Sequence, residues 1–299
     1  LRNRPFLFGL AFITLINLIA ARSRIGSLSG GALPIAHGGA AELLAKFGES
    51  WHPVAMGSAA STPSWVFITG VASALTLGNV SFFISTLFFL GPIVAFIAMY
   101  RVLKRGKFSL RISSLGGVIY AMSPVIWNSV NQGRLGTLVI SLLIPSFLSL
   151  KPLEIDSYSN WRKVYGITLL AGFIGAFSPI LLILWSLILL TKLAFLLIRR
   201  REELLGNRKL SQLIFLNFDL EKRLFALGSI PLLLNFPWSA SLIFHPTQIL
   251  LEPGLPLSGG DALNLLIFNP GGESGIPVWI ISPMLLFLLV VLFSNKFDQ

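Results

Sequence analysis

Six apolar runs, each close to the thickness of a bilayer when coiled into a helix, constrain this chain more than any other feature. Residues 5–21, 80–100, 112–130, 180–198, 224–244 and 278–293 approach the roughly 20 residues that cross about 30 Å of hydrocarbon. A soluble core does not need so many. Charged residues are 12% of the 299 and hydrophobic residues 54%, so little polar sequence remains for a separate soluble domain. The expected fold is all-α: a polytopic integral membrane helix bundle, read as a single membrane domain over 1–299. Cysteine is absent, which excludes disulfides, thiol catalysis and cysteine metal sites. With three widely spaced histidines, neither a metal nor a cofactor is expected in this chain. Because it opens on Leu1 and enters an apolar run within five residues, it reads as a piece of a longer protein.

Basic residues set the expected orientation. Segment 101–111 holds five, Lys151, Arg162 and Lys163 follow, and 199–223 holds seven. With Arg2, Arg4 and Lys296 at the ends, these are 18 of the 23 basic residues. The positive-inside rule assigns them to the cytoplasm, so 101–111, 151–163 and 199–223 are expected as cytoplasmic loops of a multi-pass cell-membrane protein with both termini inside. The net charge of +11 then reports topology and contact with the lipid bilayer, and no nucleic acid is expected as a partner.

Joining these ends requires about eight spans, plus short interfacial or half-helices, since 137–150 and 65–77 are too short to cross comfortably. The second is expected at the outer surface. The stretch 164–198 starts and ends beside basic residues and should turn back outside near Ser178 and Pro179, where proline marks the break. Pro92, Pro124, Pro145, Pro231 and Pro237 lie inside apolar runs, which predicts an irregular bundle.

Two long external loops stand apart. Loop 22–64 is rich in glycine and carries a short helical stretch over 40–47 before Trp51, His52 and Pro53. Loop 245–277 contains no lysine or arginine, yet has Glu252, Asp261 and Glu273. Their apolar content argues that they fold over the outer ends of the bundle, and the two are expected to touch.

The strings WHPVAMGS (51–58), NQGRLGTLV (131–139), PWSASLIFHPTQILLEPGLP (237–256) and NPGG (269–272) resemble, in order and spacing over nearly the whole chain, the multi-pass C-terminal region of large actinobacterial proteins with an N-terminal family 2 glycosyltransferase domain. The resemblance implies a role in making cell-envelope glycan, with the missing N-terminal glycosyltransferase domain as a cytoplasmic partner. The Asp-x-Asp metal motif of such domains does not occur here. A second resemblance is architectural: integral-membrane glycosyltransferases that use polyprenyl-phosphate sugars place a catalytic carboxylate in a long external loop after the first span. Glu42 and Glu49 occupy that position and are the candidate catalytic residues, because a tuned carboxylate can take a proton from an acceptor hydroxyl. Candidate substrate-binding residues are Trp51, His52, Arg134, His245, Glu252, Asp261 and Glu273, facing a polyprenyl-phosphate-linked glycan.

Each has a plainer reading. Glu42 and Lys46 are spaced as a surface ion pair on a helix. His52 and His245 precede prolines and can simply end an element. Trp51, Trp65, Trp127, Trp161, Trp238 and Trp279 fall near span ends and are read as interfacial anchors. Arg134, between two apolar runs with no acid nearby in sequence, should find a carboxylate or a lipid phosphate. Three roles stay open: the membrane portion of an envelope glycosyltransferase, a transporter of lipid-linked glycan, and a non-catalytic anchor.

Overall fold

A computed structural model describes residues 4–21, 39–48, 51–52, 58–59, 62–131, 133–156, 158–206 and 210–244. They are helical, apart from one pair of two-residue strands, β1 (Trp51–His52) and β2 (Ser58–Ala59). Among them, three helices are long and apolar enough to cross a membrane: Val80–Arg105, Leu135–Glu154 and Pro179–Leu196. Shorter apolar helices cover Arg4–Ile19, Ser64–Thr76 and Leu110–Ala121. The run 278–293 and the loop 245–277 lie outside the described residues.

The chain runs through α1 (Arg4–Ala21), α2 (Ala40–Gly48), α3 (Ser64–Ala72), α4 (Val80–Arg105), α5 (Leu110–Ala121), α6 (Pro124–Asn131), α7 (Leu135–Ser149), α8 (Trp161–Phe177), α9 (Pro179–Gly206), α10 (Leu210–Leu234) and α11 (Trp238–Phe244). Local chemistry starts three of them: the side chains of Asn79, Ser109 and Asn160 accept from the backbone N–H of Phe82, Ile112 and Arg162, capping α4, α5 and α8. Each satisfies a donor that the first turn leaves unpaired. The expected reversal at Ser178 and Pro179 is present, with α8 ending at Phe177 and α9 opening on Pro179.

Three sequence expectations need correction. The run 112–130 is not one helix: α5 stops at Ala121 and α6 restarts at Pro124, because proline lacks the N–H that would continue the ladder and suits the first turn of a new helix. The loop expected at 199–223 is mostly helical, since α9 continues to Gly206 and α10 already begins at Leu210. Its Arg, Glu, Leu and Lys are good helix formers, so the helices outlast their apolar parts. The run 224–244 divides at Asn235–Pro237 into α10 and α11.

Read from sequence as one domain, the described residues pack as two compact units, one drawn from 4–44 and 69–146, the other from 45–68 and 147–244. In the first, α1, α4 and α5 approach closely over glycine. A Cβ on Gly117 would stand 2.9 Å from the Phe96 ring and 3.0 Å from its carbonyl, and one on Gly9 2.6 Å from Ser114 Oγ. Small residues bring backbones near enough for dispersion to hold helices that lipid solvates as well as they solvate each other. Phe6 lies 4.7 Å from Tyr100 and 5.6 Å from Phe96, ring to ring. Asn17 Nδ2 donates to the Phe89 carbonyl, and Ser114 Oγ to that of Pro5 at 2.6 Å.

The second unit is organised around α8, α9 and α10. Val164, Ile167, Trp185, Leu189, Leu224 and Leu227 form its buried centre. Trp185 Nε1 donates to the Leu227 carbonyl at 3.0 Å, so the largest side chain of this layer carries its own tie to a neighbouring helix. Asn235 Nδ2 donates to Gly172 O at 3.0 Å and Pro231 O at 2.8 Å, which binds the end of α10 to α8.

Candidate functional site

The helix expected within the first long loop is present as α2 and has a firm seat. Ala40 N–H donates to Gly78 O at 2.9 Å, and Gly39 bridges to Asn79 in the turn that opens α4. Gly78 takes φ +80°, a conformation glycine adopts without strain, and this lets the chain turn there. Leu43 is fully buried, while Glu42 in the first turn is exposed. At 1.5 Å per residue, α4 is about 39 Å long. Glu42 thus stands by one end of α4, and Arg101, Lys104 and Arg105 lie at the other.

The string WHPVAMGS closes on itself: Trp51 pairs with Ala59 and His52 with Ser58. Nearby, Thr62 Oγ1 donates to Lys46 O at 2.9 Å, and the rings of Phe47 and Phe67 are 5.1 Å apart. Glu49, His245, Glu252, Asp261 and Glu273 lie outside the described residues, and with them the expected contact between the two long loops.

Arg134 lies in the tight turn expected for it. Its N–H donates to Ser129 O at 2.8 Å and its carbonyl accepts from Leu138 N at 3.1 Å, so it joins the end of α6 to the start of α7; Gly133 beside it takes φ +65°. One turn along α7, Leu138 packs on Gly91, where an added Cβ would come within 2.9 Å. An arginine of intermediate burial between two apolar helices is costly unless something anionic or polar receives it, which makes such a residue a functional candidate.

The segment leading to Arg134 is the broken helix. Around its gap at Met122–Ser123, the N–H groups of Ile126 and Trp127 both donate to Ser123 O, at 3.1 and 3.2 Å. Tyr120 O–H ties the end of α5 to Ser141 O at 2.7 Å. Trp127, expected as an interfacial anchor, is 1% exposed, and its indole N–H makes no hydrogen bond among the described residues. Trp238 is buried as well. Both are packing residues, because short, broken helices leave spaces that only a large side chain fills. Interrupted helices at membrane depth persist only when protein or a polar cavity surrounds them.

Sequence reasoning also missed a cationic clamp in the second unit. Lys192 Nζ, within the long apolar part of α9, donates to the carbonyls of Leu153 at 2.9 Å and Ile155 at 3.1 Å. Arg223 Nη1 from α10 donates to Asp156 O at 3.3 Å, and its guanidinium lies 5.2 Å from the centre of the Trp161 ring. Two cations on separate helices thereby fasten one loop. The Asp156 carboxylate accepts from Ser159 Oγ at 2.7 Å and from Tyr158 N–H, and the Ser159 bond above all holds its pKa below the usual 3.8. The available signal was Lys192 itself, a lone charge inside an apolar run.

Similarity offers no shortcut to the chemistry. No family model, curated protein or solved structure matches this chain. The site is therefore defined by its own residues: Glu42 at one end of α4, and Arg134 in the turn that ends the interrupted helix.

Proposed function

We propose that this chain is the membrane portion of a cell-envelope glycosyltransferase that handles a lipid-linked glycan acceptor or donor. In this reading it crosses the bilayer about eight times, with both termini in the cytoplasm beside a catalytic domain that precedes Leu1. The observation that carries the reading is Arg134, a permanent cation in the turn between α6 and α7, at the end of an interrupted helix. A guanidinium presents paired donors that match phosphate oxygens, and a polyprenyl-phosphate sugar brings its phosphate to the membrane. Supporting it are the resemblance of the strings around Trp51, Arg134 and Trp238 to multi-pass glycosyltransferase regions, and Glu42 standing by the end of α4 opposite its basic turn. Glu42 would act there as the base that takes a proton from the acceptor hydroxyl as the sugar–phosphate bond breaks.

The test is transfer of radiolabelled sugar into lipid-linked glycan by membranes containing the intact protein. Arg134→Leu should reduce transfer by roughly thirtyfold, the equivalent of about 2 kcal/mol for a hydrogen bond to a charged group, and Arg134→Lys should restore part of it. Glu42→Gln should abolish transfer if the base is external. Full transfer by Arg134→Leu, at unchanged thermal stability, would sink the reading. Loss of glycan export with transfer intact would replace it with transport.

A further inference from the structure

We infer that the turn joining α4 to α5, with the start of α1, is a binding surface for acidic phospholipid headgroups. The inference rests on the chain lying in a bilayer and does not depend on the glycan reading.

Within the first unit, Arg4, Arg101, Lys104, Arg105, Lys107 and Arg111 are all exposed. They gather at one end, because Arg101, Lys104 and Arg105 close α4, Lys107 is in the turn, and Arg111 is in the first turn of α5. Arg4 joins them through its neighbour Pro5, whose carbonyl accepts from Ser114 Oγ, one turn after Arg111. No acidic residue occurs anywhere in 50–153. The one carboxylate among the described residues of this unit is Glu42, by the opposite end of α4. Among the described residues none of the six cations forms an ion pair, and the contact found is Lys104 Nζ over the Tyr100 ring at 6.0 Å. Among the described residues, the unit offers this patch no counter-charge of its own.

Three features point to lipid as the source of that charge. First, α4 at about 39 Å exceeds the roughly 30 Å hydrocarbon layer, so its last turns reach headgroup level. Second, the cations border lipid-facing apolar side chains: Leu7, Phe8, Phe108, Ile112 and Leu115 are all exposed. A headgroup phosphate and its acyl chain would meet both kinds of surface at once, which an acidic protein partner would not require. Third, the turn is preorganised. An added Cβ on Gly116 would run into Leu103 and one on Gly106 would come within 3.2 Å of Phe108, so α4, α5 and the Phe108 ring are close-packed. Lys107 holds φ +66°, where glycine or asparagine would be less strained. A lysine kept there is explained by its charge. Clusters of four to eight cations beside a span are the known chemistry of acidic headgroup recognition.

The full chain should be placed in nanodiscs of phosphatidylcholine mixed with phosphatidylglycerol, and the lipids it retains in neutral detergent weighed by native mass spectrometry. Wild-type protein should retain phosphatidylglycerol preferentially, and rising salt should weaken retention. Lys104→Gln, Arg105→Gln and Lys107→Gln combined should lower it by about a hundredfold, near fivefold for each cation. If the triple variant does not fold, each single substitution should show its own fivefold loss. Equal retention of both lipids by the wild type overturns the inference. So does undiminished phosphatidylglycerol retention by a triple or single variant with wild-type thermal stability, or capture of soluble polyglutamate in place of the lipid.

Discussion

The two compact units solve one problem by different means. In lipid, apolar side chains gain little by leaving hydrocarbon for protein, so helices associate through close packing and hydrogen bonds. The first unit relies on the absence of side chains: Gly9 and Gly117 bring α1, α4 and α5 together around Phe96, and Gly116 sets α5 against Leu103. The second has tight glycines of its own, Gly172 and Gly175, where a Cβ would come within 2.8 Å of Leu234 and Leu182, and adds long polar side chains that reach across to backbone carbonyls: Trp185 to Leu227, Asn235 to Gly172, and Lys192 and Arg223 to the loop at 153–156. The contrast teaches that the second unit adds longer directional ties to the steric packing both units share. The first unit should fail when atoms are added, and the second also when these polar side chains are removed.

The largest effect expected is on the second unit. Trp185→Ala removes a buried indole and its hydrogen bond, and should cost about 3 to 5 kcal/mol, read as a large fall in the thermal unfolding midpoint in detergent. A change under 1 kcal/mol would mean that lipid or detergent refills the space and that the unit is not held directionally. Next comes Gly117→Ala, where the new methyl meets both the ring and the carbonyl of Phe96 and should cost about 1 to 3 kcal/mol. Gly166→Ala, whose nearest neighbour would be Leu150 at 3.5 Å, is the matched control and should be tolerated. Equal tolerance at both sites would break the steric account of the first unit.

Lys192→Met should leave the helices in place but free the loop, with hydrogen exchange accelerating over 153–159 at a cost of about 1 to 2 kcal/mol. Unchanged exchange would show that Arg223 alone suffices. The smallest effect is pH-dependent. Because the Asp156 pKa lies below the ordinary 3.8, its contribution is complete above that value and is lost as pH falls through the lower, folded value. Asp156→Asn should therefore match wild type at acid pH and exchange faster around Ser159 at neutral pH, with the global midpoint barely moved.

Much of the helical layout could be read from residue order. Apolar length located α1, α4 and α9, Pro179 marked the reversal between α8 and α9, and 40–47 anticipated α2, whereas 137–150, read as too short to cross, belongs to a helix Leu135–Glu154 long enough to do so. The breaks were harder. Pro124 and Pro231 look alike in sequence, yet Pro124 starts a new helix while Pro231 stays inside α10, since a freed carbonyl can be left or replaced only according to its neighbours. Of the candidate site, Glu42 and Arg134 were nameable as types, but the seat of α2 on the turn before α4 could not be inferred from spacing.

What the residue order determined by itself is a helical chain with apolar segments long enough for a bilayer, and an uneven distribution of charge that leaves 50–153 without a single acid. These follow from composition and length, which act locally along the chain. Tertiary structure alone decided that Trp127 is a packing residue, that Lys192 and Arg223 clasp one loop, and that six cations share one end of a unit with no carboxylate beside them among the described residues. Such facts depend on which side chains meet across helices distant in sequence, and packing geometry chooses those partners.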